Sequence, residues 1–113
     1  MRDWMAKSID LDEDKIADFA DVLRLAQARG MKSGELSITV HETVLRRVLK
    51  NESRNSCFHA HTIEGTVWIK YDQVLPGGTM IRLFRIETKD DGRVQIIEDT
   101  MSHDANLIRR MDR

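Results

Sequence analysis

Cys57, His59 and His61 occupy alternate positions in Cys57-Phe58-His59-Ala60-His61. In a strand, residues two apart share a face, so all three side chains would point the same way. Thiolate and imidazole are good zinc ligands, which raises a metal-dependent hydrolase using His59 and His61. Each strand residue advances about 3.3 Å, so three ligands on one straight strand cannot converge on one ion. His41, His103, Asp104 or another acid would have to complete the set, and the sequence does not supply that completion. Cys57 as a nucleophile would need a lowered pKa and an orienting third group. No such group is evident, so a partly buried, inert thiol is the simpler expectation.

Two further patterns lead nowhere. His41-Glu42-Thr43 has the His-x-Thr spacing that two-histidine phosphoesterases use in pairs, one histidine as base and one as acid. Neither His59, His61 nor His103 has Ser or Thr two places later, so the second motif is missing. Leu75-Pro76-Gly77-Gly78-Thr79 lacks the Lys-Ser/Thr of a phosphate loop and precedes no helix; it reads as a turn.

The remaining candidates are surface groups. Arg46, Arg47, Lys50 and Arg54 face only Glu42 and Glu52 across residues 36–60, a small basic patch. Such a patch can contact phosphates or an acidic partner. Trp68 sits between Val67 and Ile69 and is the aromatic expected at an interface. Overall net charge is −1, so there is no global signature of nucleic-acid binding.

Positioning these groups falls to a helical front and a pleated rear. Ile16, Phe19, Ala20, Leu23 and Ala26 recur at the helical period, behind the acidic run Asp10–Asp14. Gly30 is a stop. This predicts one helix over 12–29. Leu36-Ser37-Ile38-Thr39-Val40 alternates as a short strand would, or leads directly into a helix with Thr39 and Glu42 as its capping box. Val40, Val44, Leu45, Val48 and Leu49 form the stripe of that helix, with Arg46, Arg47 and Lys50 turned elsewhere.

After Ser56 the period becomes two. Strands are predicted at 57–63, from 67 through 72, over 80–88 and from 94, with turns at Glu64-Gly65, Leu75–Gly78 and Lys89-Asp90-Asp91-Gly92-Arg93. Asp-Gly supplies the positive φ angles of a tight hairpin. Apolar groups on both faces of 80–88 make that strand central. Ser102, Leu107, Ile108 and Met111 suggest a short terminal helix.

The expectation is a single α+β domain over 1–113: two N-terminal helices, a four-stranded antiparallel meander and a short C-terminal helix. One cysteine allows no internal disulfide, which suits a reducing compartment. No secretory signal or membrane-length apolar run is visible, so a cytoplasmic protein is expected. No cofactor is expected. The sheet edge at Cys57–Ile63 could pair two copies into a homodimer. The functional expectation is a small non-enzymatic binding or regulatory protein acting on a protein partner. Inhibitors and adaptors of mobile elements are often compact, charge-rich chains of this kind. The alternatives are a nucleic-acid binder using the basic helix and the His59/His61 hydrolase.

Overall fold

The computed structural model describes residues 13–99. The expected terminal helix at 102–111, with His103 and Asp104, lies outside them, as does Trp4. The described chain is α+β. Two helices, α1 (Phe19–Ala28) and α2 (Glu42–Asn51), accompany five strands: β1 (Ser37–His41), β2 (Phe58–Ile63), β3 (Thr66–Leu75), β4 (Gly78–Thr88) and β5 (Arg93–Glu98). The strands form one antiparallel sheet in the order β1-β5-β4-β3-β2. No helix among the described residues is long and apolar enough to cross a membrane.

The expected four-stranded meander is present as β2 to β5, but the sheet has a fifth strand. Residues 37–41 alternate buried and exposed and pair with β5, Ile38 opposite Ile96 and Val40 opposite Val94. The strand then runs without a loop into α2. His41, not Thr39, caps that helix: its Nδ1 accepts from the Thr43 amide at 3.2 Å. Thr39 belongs to the ladder, opposite Gln95, so the cap falls two residues later than the Thr-x-x-Glu spacing suggests.

The single helix expected over 12–29 is interrupted. Residues 13–15 are helical, the chain opens at 16–18, and α1 starts afresh at Phe19. Asp18 caps it. Its Oδ1 accepts from the Asp21 amide at 2.9 Å, and Asp21 Oδ2 accepts from the Asp18 amide at 3.3 Å, a reciprocal capping box. Side chains of α2 hold carbonyls around the opening. Arg47 Nη1 donates to Glu13 and Ile16 at 3.3 and 2.7 Å, and Asn51 Nδ2 to Ala17 at 2.7 Å. Glu52 is buried and accepts from the Phe19 amide at 3.3 Å. Gly30, at φ +84°, closes the far end of α1 as expected.

The main core lies between these helices and one sheet face. It joins Phe19, Val22 and Ala26 of α1 to Val44, Leu45 and Val48 of α2, and both sets to Ile38, Phe58, Ile69, Phe84 and Ile96 of the sheet. Phe19 is its centre. Its ring meets Phe84, Tyr71 and Phe58 at 4.8, 5.2 and 5.4 Å between centroids, the tilted and edge-on arrangements that aromatic pairs prefer. As expected, β4 is the central strand, flanked by β3 and β5. Asp91 and Gly92 have φ of 61° and 71°, which makes the β4–β5 connection the tight turn that Asp-Gly favours.

A candidate partner-binding surface

The two longest strands outrun their neighbours. Pairing of β2 with β3 begins at Phe58 opposite Tyr71, with a last bond from the Asp72 amide to the Cys57 carbonyl. Pairing of β5 with β4 begins at Glu98 opposite Phe84, with a last bond from the Asp99 amide to the Leu83 carbonyl. Beyond these points β3 and β4 continue together, from Asp72 opposite Ile81 to Leu75 opposite Gly78. Among the described residues this is a two-stranded ribbon with no third strand on either side.

The ribbon is chemically unlike the rest of the chain. Gln73 to Ile81 contains no charged residue, although a third of the sequence is charged. Val74 is 74 % exposed, Leu75 40 % and Ile81 37 %. Pleating places Val74 and Ile81 on the face away from the helices and Leu75 and Met80 on the other. Natural edges are usually guarded by lysine, proline or an inward charge. Here Pro76 sits at the turn and Asp72 at the ribbon's foot, and between them the paired stretches carry no charge.

At the foot of the ribbon, on the helix side, a groove of about 690 Å³ opens between α1, the loop after it and the strands. Leu23, Met31, Cys57, Tyr71, Gln73 and Arg82 contribute to its lining. Arg82 is buried. It donates to both Glu98 oxygens, from Nε at 2.9 Å and Nη2 at 2.7 Å, and from Nη1 to Gln73 Oε1 at 3.2 Å, while its guanidinium lies 5.4 Å from the Phe84 ring centroid. This fork-to-fork pair fixes the ribbon's foot to β5. Burial of the Tyr71 phenol raises its pKa above the usual value, and the carboxylates of Glu52 and Asp18 add to the effect.

The residues singled out in the sequence are scattered. His59 and His61 do share a face of β2, away from the helices, opposite Lys70 and Trp68. Among the described residues, no group of three or more His, Cys, Asp or Glu side chains comes together to hold a metal ion. Cys57, half-buried, precedes β2 and faces the groove. Arg46, Lys50 and Arg54 are exposed, Arg46 lying 3.5 Å from Glu42. Arg47 stands apart, half-buried, its guanidinium occupied by the carbonyls of the opened helix. Trp68 is half-buried against Ile63 and Leu83. No family model, no curated protein and no solved structure matches the chain.

The ribbon is the feature that sequence reasoning missed. The alternation ends one strand at 72 and begins the next at 80, with Leu75–Gly78 as the turn, whereas β3 runs on to Leu75 and β4 begins at Gly78. How far the two strands outrun their partners depends on where β2 and β5 stop. The available signal was the charge-free run itself.

Proposed function

We propose that the protein is a small non-enzymatic binder that acts by contacting another protein, with the β3–β4 ribbon as its contact element. One observation supports this reading: a projecting, uncharged ribbon with open backbone edges and exposed Val74, Leu75 and Ile81. Unpaired strand edges recruit an extended segment through main-chain hydrogen bonds, and alternate side chains supply selectivity. Apolar groups grouped on one element, rather than dispersed, mark interaction surfaces. A partner offering an extended, apolar segment fits both properties.

The test is a comparison of retention from native extract on immobilised wild type and on the variants Val74→Asp and Ile81→Lys. A partner retained by wild type and released by both variants, with folding intact by circular dichroism, supports the reading. Equal retention by all three removes it.

A nucleic-acid reading rests on exposed Arg46, Lys50 and Arg54, with Arg47 engaged elsewhere. Phosphate contacts of that kind weaken steeply with added salt, whereas the ribbon contact should hold. Pairing of two copies through the outer edge of β2 is a separate expectation, read directly from the mass in solution.

A further inference from the structure

The ribbon has two edges, and the hydrogen-bond register tells them apart. The Asp72 amide bonds to the Cys57 carbonyl. Along a strand the main-chain groups point alternately to either side, so those of Gln73 turn to β4 and those of Val74 turn outward, past the end of β2. The chain ahead of β2 does not follow that edge: the Cys57 amide donates to Asn55 Oδ1 at 2.9 Å. The same alternation, counted from the Leu83 carbonyl that accepts from Asp99, sends the groups of Ile81 out from the β4 edge. What flanks each edge differs. Asn55, Cys57, Gln73 and Val74, along the β3 edge, line the groove on the helix side, whereas β4 contributes Arg82 alone to its described lining.

The groove also has a charge preference. From α1 and the loop after it come apolar Leu23 and Met31 and cationic Arg24 and Lys32. Arg24 pairs with Asp21, yet its side chain is 67 % exposed, and Lys32 is exposed as well. The charge of Arg82 is met by Glu98 within the sheet. Asp72 is the one acid in the described lining. It lies opposite Ile81, on the face away from the helices, with its Oδ1 3.8 Å from Lys70 Nζ. The mouth of the groove is therefore positive.

We infer that the partner contributes an extended segment that adds to the β3 edge and sets a glutamate into the groove. Resting on the ribbon as contact element, this assigns the edge used and the charge the partner brings. One residue of the added strand exchanges both main-chain bonds with Val74. In an antiparallel addition, its neighbour opposite Gln73 lies on the same side of the sheet as the Gln73 side chain. That is the helix side, where Gln73 Oε1 accepts from Arg82. A glutamate at that position lays its methylenes along Leu23 and Met31 and brings its carboxylate to Arg24 and Lys32.

Random peptides displayed on phage and selected on the immobilised full chain supply the probe. Selected peptides should carry an acidic residue flanked by uncharged ones. Their binding should fall about tenfold or more on Arg24→Glu with Lys32→Glu, where like charges meet. It should fall as far on Val74→Pro, which removes the outward amide. Ile81→Pro, which removes an amide from the other edge, should bind as wild type does. Proline is tolerated where its nitrogen faces an open edge, and hydrogen exchange in the wild type gives the same reading without any substitution. A selected peptide should slow exchange of the Val74 amide and leave that of Ile81 unchanged. Loss on Ile81→Pro alone, with the Val74 amide unslowed, would overturn the inference and leave the ribbon as contact element. Selected peptides indifferent to Arg24→Glu with Lys32→Glu, or the selection of no peptide at all, would also overturn it. In either case the extract retention of Val74→Asp and Ile81→Lys judges the ribbon on its own.

Discussion

Arg82 and Glu98 face each other through two hydrogen bonds, 2.9 and 2.7 Å, with both side chains more than nine-tenths buried. Arg82 is the last residue of β4 before the unsupported ribbon, and Glu98 ends β5. Glu98 also accepts from the Leu36 amide at 3.4 Å, at the entry to β1. One ion pair thus ties the ribbon, the central sheet and the edge strand together. Replacing Arg82 with Met or Glu98 with Gln leaves the other partner buried without its counter-charge, a loss of about 3–5 kcal/mol for a buried pair. Urea titration should place both variants in that range. The double replacement should cost less than the two single changes combined, because they share one interaction.

Arg47 and its neighbour Arg46 give a sharper contrast. Arg47 holds two backbone carbonyls of the opened helix, whereas Arg46 is exposed and lies 3.5 Å from Glu42. Arg47→Ala should therefore lower stability by about 1.5–3 kcal/mol, as for a lost charged hydrogen bond. Arg46→Ala should fall within about 0.5 kcal/mol of wild type. Equal midpoints for the two variants in thermal unfolding would show that the α2–α1 tie is not the one described.

Tyr71 is the chain's one tyrosine, so its ionisation can be followed without overlap. Its pKa is raised by burial and then by surrounding negative charge. The folded state therefore favours the neutral phenol more than the unfolded state does. Its contribution to stability is complete below the unfolded pKa near 10 and declines as pH rises through the folded value. Tyrosinate absorbance should appear later in the native protein than in denaturant. Tyr71→Phe should flatten the alkaline fall in stability.

Asp21 carries the opposite linkage. The amide of Ala17 is the largest cause of its lowered pKa; burial opposes it, and the Arg24 side chain and the Asp18 amide add smaller lowering effects. A depressed carboxylate stabilises the fold above its unfolded pKa, and that benefit is lost as pH falls through the folded value. Asp21→Asn should remove part of the acid sensitivity at pH below about 4. Asp18→Ala, which deletes the cap itself, should cost about 1 kcal/mol at neutral pH.

Much of this architecture was legible because its signals are local. Asp91-Gly92 and Glu64-Gly65 force turns through their own φ angles, and the alternation on either side sets which residues face the core. The opening at 16–18 was not legible. Ile16 and Phe19 lie on one continuous stripe, and the interruption is settled by Asp18's side chain together with Arg47 and Asn51, distant in sequence. Strand β1 was ambiguous because Val40 fits both periods, and only pairing with β5 decides. As for the candidate site, His59 and His61 sharing a face was readable from spacing alone. That no third ligand joins them among the described residues depends on tertiary placement.

The ribbon makes the last prediction because stability and binding should separate there. Val74 and Ile81 are exposed, and no third strand adjoins them among the described residues. Polar substitutions at such positions remove no core contact, so Val74→Asp and Ile81→Lys should unfold within about 0.5 kcal/mol of wild type. Each charge would nevertheless have to be buried in any contact made through the ribbon, and an unpaired charge in an interface is strongly disfavoured. Partner retention should therefore collapse with the unfolding midpoint unmoved. Arg46→Glu with Lys50→Glu should do the reverse of what a nucleic-acid binder requires and leave retention intact. If the charge-reversal variant loses its partner and the ribbon variants keep theirs, α2 rather than β3–β4 makes the contact.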